Sequence, residues 1–333
     1  MGSLARRLKG SFPSDKFSAQ ESLNKKISFC TTCKGRTHHL KETLPKNIRD
    51  SLASGKQGVE VEFIVLDYDS DDGLEEWITR DPDMRRYMDD GILLYAKHDN
   101  APYFKHAHAK NMAHILATGD IVCNVDADNF TGQGFAVWLA EQFSKRGDII
   151  VQPSLRHILD YQSSQKKVPG FGGRLALTKD RFLNLGGYRE DKSLTGGFGE
   201  DLDLAFRAEK CGNRLVPIKE RGYLNFIQHS DEDRLCNVEK EDKDKARLII
   251  DAAKARRDLF VTAFRLATLP QANLVQQSFG AGHLIFPYDD RKERIIEDPQ
   301  VKPCRMSCVR GTWNVLRDRM RFVNELIPAS MHP

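Results

Sequence analysis

No stretch of this 333-residue sequence approaches the roughly 18 consecutive apolar residues of a membrane-crossing helix. Neither sign of charge dominates. Fifty-one Lys and Arg stand against 47 Asp and Glu, a net charge of +4, without the basic excess of a dedicated nucleic-acid binder. The GxGxxG loop of dinucleotide-binding folds is missing, so a bound nucleotide would need another anchor. Met1–Phe17 carries Arg6, Arg7 and Lys9 with no apolar core behind them, so it does not read as a secretory signal. Seven cysteines, an odd number, then predict reduced thiols in a cytoplasmic protein. Cys30 and Cys33 form a CxxC, but Cys304 and Cys308 are spaced differently and supply no second pair for zinc. Asp67–Gly73 mimics a calcium loop, yet Gly73 falls one place late and Ile78 stands where the closing Glu belongs. His106, His108 and His114 have no acidic or Cys partner among them at helical spacing, which leaves capping, packing or substrate contact.

What is present is alternation. Ile27–Thr32, Val61–Leu66, Gly91–Lys97 and Ile121–Val125 read as buried strands. Amphipathic helical periodicity lies between and after them, as in Leu40, Leu44, Ile48 and Leu52. Strands alternating with helices predict an α/β fold, a mostly parallel sheet flanked by helices. The second half continues with a strand at Ile149–Gln152 and a glycine-rich stretch at Pro169–Thr178. A short helix capped by Thr178, a hinge at Gly196–Gly199 and a helix beginning at Glu200 come next. Strands at Arg214–Ile218 and Tyr223–Gln228 precede a charged helix from Asn237 to Phe264, and residues 265–311 read as irregular. Trp313–Ile327 is a basic amphipathic helix, suited to packing back on the domain or to peripheral contact with the inner face of a membrane. The expected division is a mobile basic arm at 1–26, a catalytic domain at 27–236 and a mainly helical extension at 237–333. Within that domain, 27–150 is the nucleotide half and 151–236 the acceptor half.

The chemistry is expected where the strand ending at Val125 runs into Asp126-Ala127-Asp128. Side chains alternate along a strand, so the two carboxylates should project to one side at its carboxyl end, where ligands bind in open α/β sheets. Two such carboxylates repel unless a cation or donors stand between them, and a hard divalent ion gripping phosphate oxygens would serve. The acidic pair Glu200-Asp201, directly after a glycine loop, suits either a helix dipole or a general base.

Four blocks carry a family resemblance, in order: Cys33–Lys41, Asn124–Asp128, Phe171–Tyr188 and Gly199–Asp203. The chain resembles glycosyltransferases of the GT-A (Rossmann-like) fold, family 2, with a second half like the β-1,4-galactosyltransferase type. The resemblance covers about residues 27–230 and does not reach 240–333. It implies a metal-dependent, inverting hexosyltransferase using a nucleotide diphosphate sugar, of the UDP type, on a glycan or glycolipid acceptor in bacterial-type polysaccharide or glycoconjugate assembly. The alternatives are the same chemistry on a protein or modified nucleic-acid acceptor, or a non-catalytic glycan-binding protein. The resemblance assigns Asp128, Asp126 and His229 to Mn²⁺ or Mg²⁺, Asp201 to the base and Glu200 to acceptor hydroxyls. Thr31, Lys34, Arg36, Asp67, Asp69, Lys110, Asp126, Ala127 and Asp128 fall on the donor side, with Asp67 and Asp69 alternatives for the nucleoside base. Gly172, Gly173, Arg174, Phe198 and Glu200 fall on the acceptor side. One position departs: Gly197 stands where the family usually places a tryptophan three residues before the Glu, with Phe198 as the nearest aromatic.

Overall fold

A computed structural model describes residues 23–53, 58–165, 169–190, 199–255, 279–288 and 293–296. Within them the strands are β1 Lys25–Cys33, β2 Val59–Tyr68, β3 Leu93–His98, β4 Ile121–Asn124 and β5 Ile149–Pro153. They continue with β6 Ala176–Thr178, β7 Arg214–Ile218, β8 Gly282–Ile285 and β9 Glu293–Ile296. All belong to one sheet in the order β7-β5-β6-β4-β1-β2-β3-β8-β9. The centre, β4-β1-β2-β3, is parallel, while β6 runs antiparallel between β4 and β5.

Side-chain alternation along the central strands builds two cores. Phe29 of β1 stacks on Phe63 of β2, centroids 5.0 Å apart, on one face. Helices α1 Thr37–Leu52, α2 Leu74–Arg80, α3 Pro82–Asp89 and α5 Phe135–Lys145 cover that face. Cys30, Ile64 and Leu66 point the other way, toward α4 His106–Leu116, α7 Lys179–Asn184 and α8 Glu200–Lys210. Thr178 caps α7, its hydroxyl accepting from Arg181 N, as expected. The chain leaves β1 over one face and enters β4 from the other, so the strand order reverses between β1 and β4. In such sheets that reversal opens a crevice at the carboxyl ends of the strands.

At the opposite end of the strands Glu62 is buried and fully engaged. Its Oε1 accepts from the Ser28 hydroxyl (2.5 Å) and Thr118 N (2.6 Å), and its Oε2 lies 2.7 Å from Lys26 Nζ. This knot fixes β1, β2 and the entry to β4 in register.

Several expectations need correction. Lys25 and Lys26 already belong to β1, so the basic arm cannot extend to 26. Tyr223–Gln228 is not a strand: Arg221–Tyr223 forms a 3₁₀ turn, and a single bridge joins Asn129 to Phe226. A short helix, α9 Asp231–Leu235, precedes the charged helix α10 Lys240–Ala255. Residues 282–285 and 293–296, expected irregular, pair as antiparallel strands on the β3 edge, with Phe279, Leu284 and Phe286 buried in the second core. The Trp313–Ile327 helix, the 1–22 arm and the 191–198 segment lie outside the described residues. No helix among the described residues is long and apolar enough to cross a membrane.

Candidate active site

A cleft of about 390 Å³ opens at the carboxyl ends of β1 and β4. The strand β4 stops at Asn124, and the next residues turn, with Asn129 N donating to Asp126 O at 2.9 Å. Both carboxylates line the cleft, but the turn gives them different neighbours. The buried Asp128 has Oδ2 3.0 Å from His229 Nε2, and its Oδ1 accepts from Asn129 Nδ2 at 2.9 Å. Burial works to raise its pKa, but the His229 contact and the Arg36 charge hold it below the usual carboxylate value. Asp126 Oδ1 accepts from Asn124 Nδ2 at 2.9 Å and lies 3.9 Å from Lys110 Nζ. The turn is held from α1, where the Thr43 hydroxyl donates to Ala127 O and Asn47 Nδ2 donates to Asn129 O.

Among the described residues no three His, Cys, Asp or Glu side chains are gathered as ready metal ligands. The donor chemistry nevertheless fits a hard divalent ion, with carboxylate oxygens and one imidazole nitrogen. Glycines keep the space over those oxygens clear. A Cβ at Gly170 would stand 2.9 Å from Asp128 Oδ2, and one at Gly173 would stand 2.6 Å from Asp126 Oδ2.

The same point above Gly173 lies 3.0 Å from Asp201 Oδ2. Gly199, at φ 87° where a side chain would be strained, starts α8 and places Glu200 and Asp201 in its first turn. Lys110 Nζ reaches them from α4, 2.7 Å from Glu200 Oε1 and 2.9 Å from Asp201 Oδ1. Burial opposes the lysine charge, but Asp201, Glu200 and Asp126 outweigh it and raise its pKa. Glu200 is pulled down by Lys110 and His106 against the effect of burial. Asp201 goes the other way. Burial, with the Glu200 and Asp126 charges, exceeds the pull of Lys110 and raises it to about 8.

On the donor side Lys34 Nζ donates to Tyr68 O and Asp69 O, and Arg36 Nη2 donates to Asp233 O at 2.8 Å. The loop is clasped by Asn237, whose Nδ2 donates to Lys34 O at 2.8 Å. Asp69, half exposed, remains at the surface; its Oδ2 accepts from Ala101 N. Asp67 does not. It is fully buried, with its oxygens taken by Ser70 N (2.7 Å) and the Tyr95 hydroxyl (2.8 Å). Thr31 is buried too, and the neighbouring Thr32 lines the cleft instead. Lys110, expected on the donor side, is engaged with Glu200 and Asp201 as described. Arg174, expected on the acceptor, is buried beneath the turn. It donates to Asn129 Oδ1 at 3.0 Å, sits over the Phe135 ring, and is lowered to about 10 by burial. Gly172 and Gly173 do line the cleft; Phe198 lies outside the described residues.

His106 lines the cleft, and so do Arg234 and Asn237, which the sequence does not mark as site residues. His106 was open to substrate contact from the sequence, and Asn237 stood there as the first residue of the charged helix.

No protein-family model and no curated protein matches the chain in sequence. Many solved structures resemble it in backbone, three of them as follows. The mannosyltransferase PcManGT from Pyrobaculum calidifontis, in complex with GDP-Man and Mn²⁺, is 20% identical over 75% of this chain and 73% of that chain, with a TM-score of 0.48. S. aureus TarS 1-349 in complex with UDP is 15% identical over 76% and 84%, with a TM-score of 0.46. Glucosyl-3-phosphoglycerate synthase from Mycobacterium tuberculosis, in complex with Mn²⁺, UDP and phosphoglyceric acid, is 14% identical over 84% and 90%, with a TM-score of 0.44.

Proposed function

We propose that the protein is an inverting glycosyltransferase, moving a sugar from a nucleotide diphosphate donor of the UDP type to an acceptor hydroxyl. One observation carries the reading: Asp126 from the turn after β4 and Asp201 from the first turn of α8 face the same point above Gly173. A donor-side carboxylate and a general base thus share one cleft, at the reversal point of the sheet.

Asp128 and His229, with Asp126 lining the same cleft, would hold Mn²⁺ or Mg²⁺. Such an ion supplies Lewis-acid neutralisation of the leaving diphosphate when bound. Lys34 and Arg36 bring two further cations to the cleft, and of the two candidates for the nucleoside only Asp69 keeps a solvent-accessible carboxylate. Asp201 accepts the proton of the acceptor hydroxyl. That oxygen bonds to the anomeric carbon as the bond from carbon to phosphate oxygen breaks, so the configuration inverts. Lys110 fixes the base, and Glu200 beside it is placed to hold an acceptor hydroxyl. A carboxyl raised toward neutrality is a stronger proton acceptor than an ordinary one and is matched to this task.

The test is incubation with a panel of nucleotide sugars and Mn²⁺, following nucleoside diphosphate. Release from one donor, enhanced by an acceptor, is expected. Silence across the panel with both Mn²⁺ and Mg²⁺ would remove the transferase reading.

A further inference from the structure

A second cavity, of about 530 Å³, is unused by the mechanism above, and its volume falls in the range of small-molecule sites. The turn Gly170–Gly173 gives Gly170, Gly172 and Gly173 to the cleft and Phe171 to this cavity. One wall is helix α6, Leu155–Gln165, whose His157, Asp160, Tyr161 and Ser164 recur at helical spacing on one face. The facing wall is the segment 221–228, which includes Arg221, Asn225, Phe226 and Gln228.

The lining combines two chemistries. Phe226 meets Tyr161 and Phe171 edge-on, with centroids at 5.4 and 5.6 Å, forming an aromatic floor. Around it stand planar polar groups: two side-chain amides, the Asp160 carboxylate and the Arg221 guanidinium, 3.8 Å from that carboxylate. His157 Nδ1 is buried and has no hydrogen-bond partner. A phosphate would call for more positive charge than one arginine already facing an aspartate. An alkyl chain would leave the buried imidazole nitrogen unsatisfied. A pyranose ring answers both, with C–H groups against the aromatics and hydroxyls to the planar donors and acceptors.

The cavity is also joined to the cleft. Phe130 N donates to Asn225 O (2.9 Å) and Ile227 N donates to Asp128 O (2.8 Å). Phe226 and Gln228 line the cavity, and the next residue, His229, meets Asp128 in the cleft.

We propose that this cavity is a saccharide subsite, holding a sugar unit of the acceptor remote from the reacting hydroxyl. The role as acceptor subsite rests on the transferase reading; the binding of a saccharide there does not. The full-length protein is titrated by saturation-transfer NMR with maltotriose, cellotriose, mannotriose and chitotriose separately, in chelator and without nucleotide. At least one trisaccharide should receive saturation, strongest on the ring protons of one face. Its affinity should fall roughly tenfold or more in Tyr161→Ala/Arg221→Ala, since hydrogen bonds to charged groups and ring contacts are lost together. Release of nucleoside diphosphate from the donor should be unchanged in that variant. Arg221→Ala alone, at a side chain 78% exposed, provides a weakened form if the double variant fails to fold. Absence of saturation in all four sugars overturns the proposal, as does wild-type affinity in a folded variant. A trisaccharide bound through these residues, with no nucleotide sugar consumed, upholds the subsite and removes the transferase reading instead.

Discussion

Lys110 Nζ stands 2.9 Å from Asp201 Oδ1, although the two residues are 91 positions apart in the chain. The contact gives the proposed base a fixed direction into the cleft. It also means the base cannot be judged by its own helix alone. Asp201→Asn keeps the shape and removes the proton acceptor. Transfer should fall by about 10²–10⁴, the usual worth of a positioned base, with nucleotide binding retained by calorimetry. Turnover near the wild-type rate would exclude Asp201 as the base.

Lys110 itself is the second target. Lys110→Met leaves Glu200 and Asp201 together without their buried cation. Breaking a buried ion pair from one side costs about 3–5 kcal/mol, and urea unfolding should read a loss at the low end of that range, because Asp201 is already pushed toward its neutral form. Adding Glu200→Gln should restore part of it. A neutral effect of Lys110→Met would mean that the carboxylates are stabilised by other groups.

The pH dependence follows from the same burial. With Asp201 raised to about 8, its ionised fraction, and kcat/KM with it, should climb as pH rises through 8. The linkage has a definite sign. The folded pKa lies above the unfolded one, so this group's contribution to stability is complete below about 4 and is lost as pH rises through about 8. Activity and stability should therefore move in opposite directions between pH 6 and 9, with Asp201→Asn removing this contribution to the stability change. A rate profile flat across that window would refute the assignment.

Asp128→Ala, or chelator on the wild type, should abolish both metal dependence and donor binding. Binding of the nucleotide sugar that persists in chelator would take the metal away from Asp128 and His229.

Gly173→Ala tests the geometry rather than the chemistry. The added methyl carbon would meet Asp126 Oδ2 at 2.6 Å and Asp201 Oδ2 at 3.0 Å. Both carboxylates must shift, so transfer should drop by an order of magnitude or more, since misplacement of about 1 Å costs roughly 10²-fold. The melting temperature should change little. The converse, a large stability loss with normal turnover, would mean that Gly173 serves only the fold.

Much of this was legible in the chain. Short continuous apolar runs marked β1, β2 and β4, and the Asp126–Asp128 pair marked the carboxyl end of β4, because both signals are local. Lys110 was visible as a cation but not as the partner of Asp201, since nothing near it in sequence encodes a contact with α8. Asp67 and Asp69 looked equivalent until Tyr95, from β3, was found to occupy the former. Arg174 sits beside glycines that do line the cleft, and only the packing over Phe135 separates it from them. Residues 223–228 have the composition of a strand, but their backbone bonds to the turn at Asp128–Phe130 take the place of a ladder.

The position of β6 bears on how the chain can be divided. It enters antiparallel between β4 and β5, so a strand from beyond residue 150 completes the edge left by strands from before it. A fragment ending near 150 would expose an unpaired rim on β4, and exposed rims invite association with other chains. The two pieces are better regarded as complementary parts that would recover a native sheet only when mixed, with Lys110 and Asp201 meeting again across the cut.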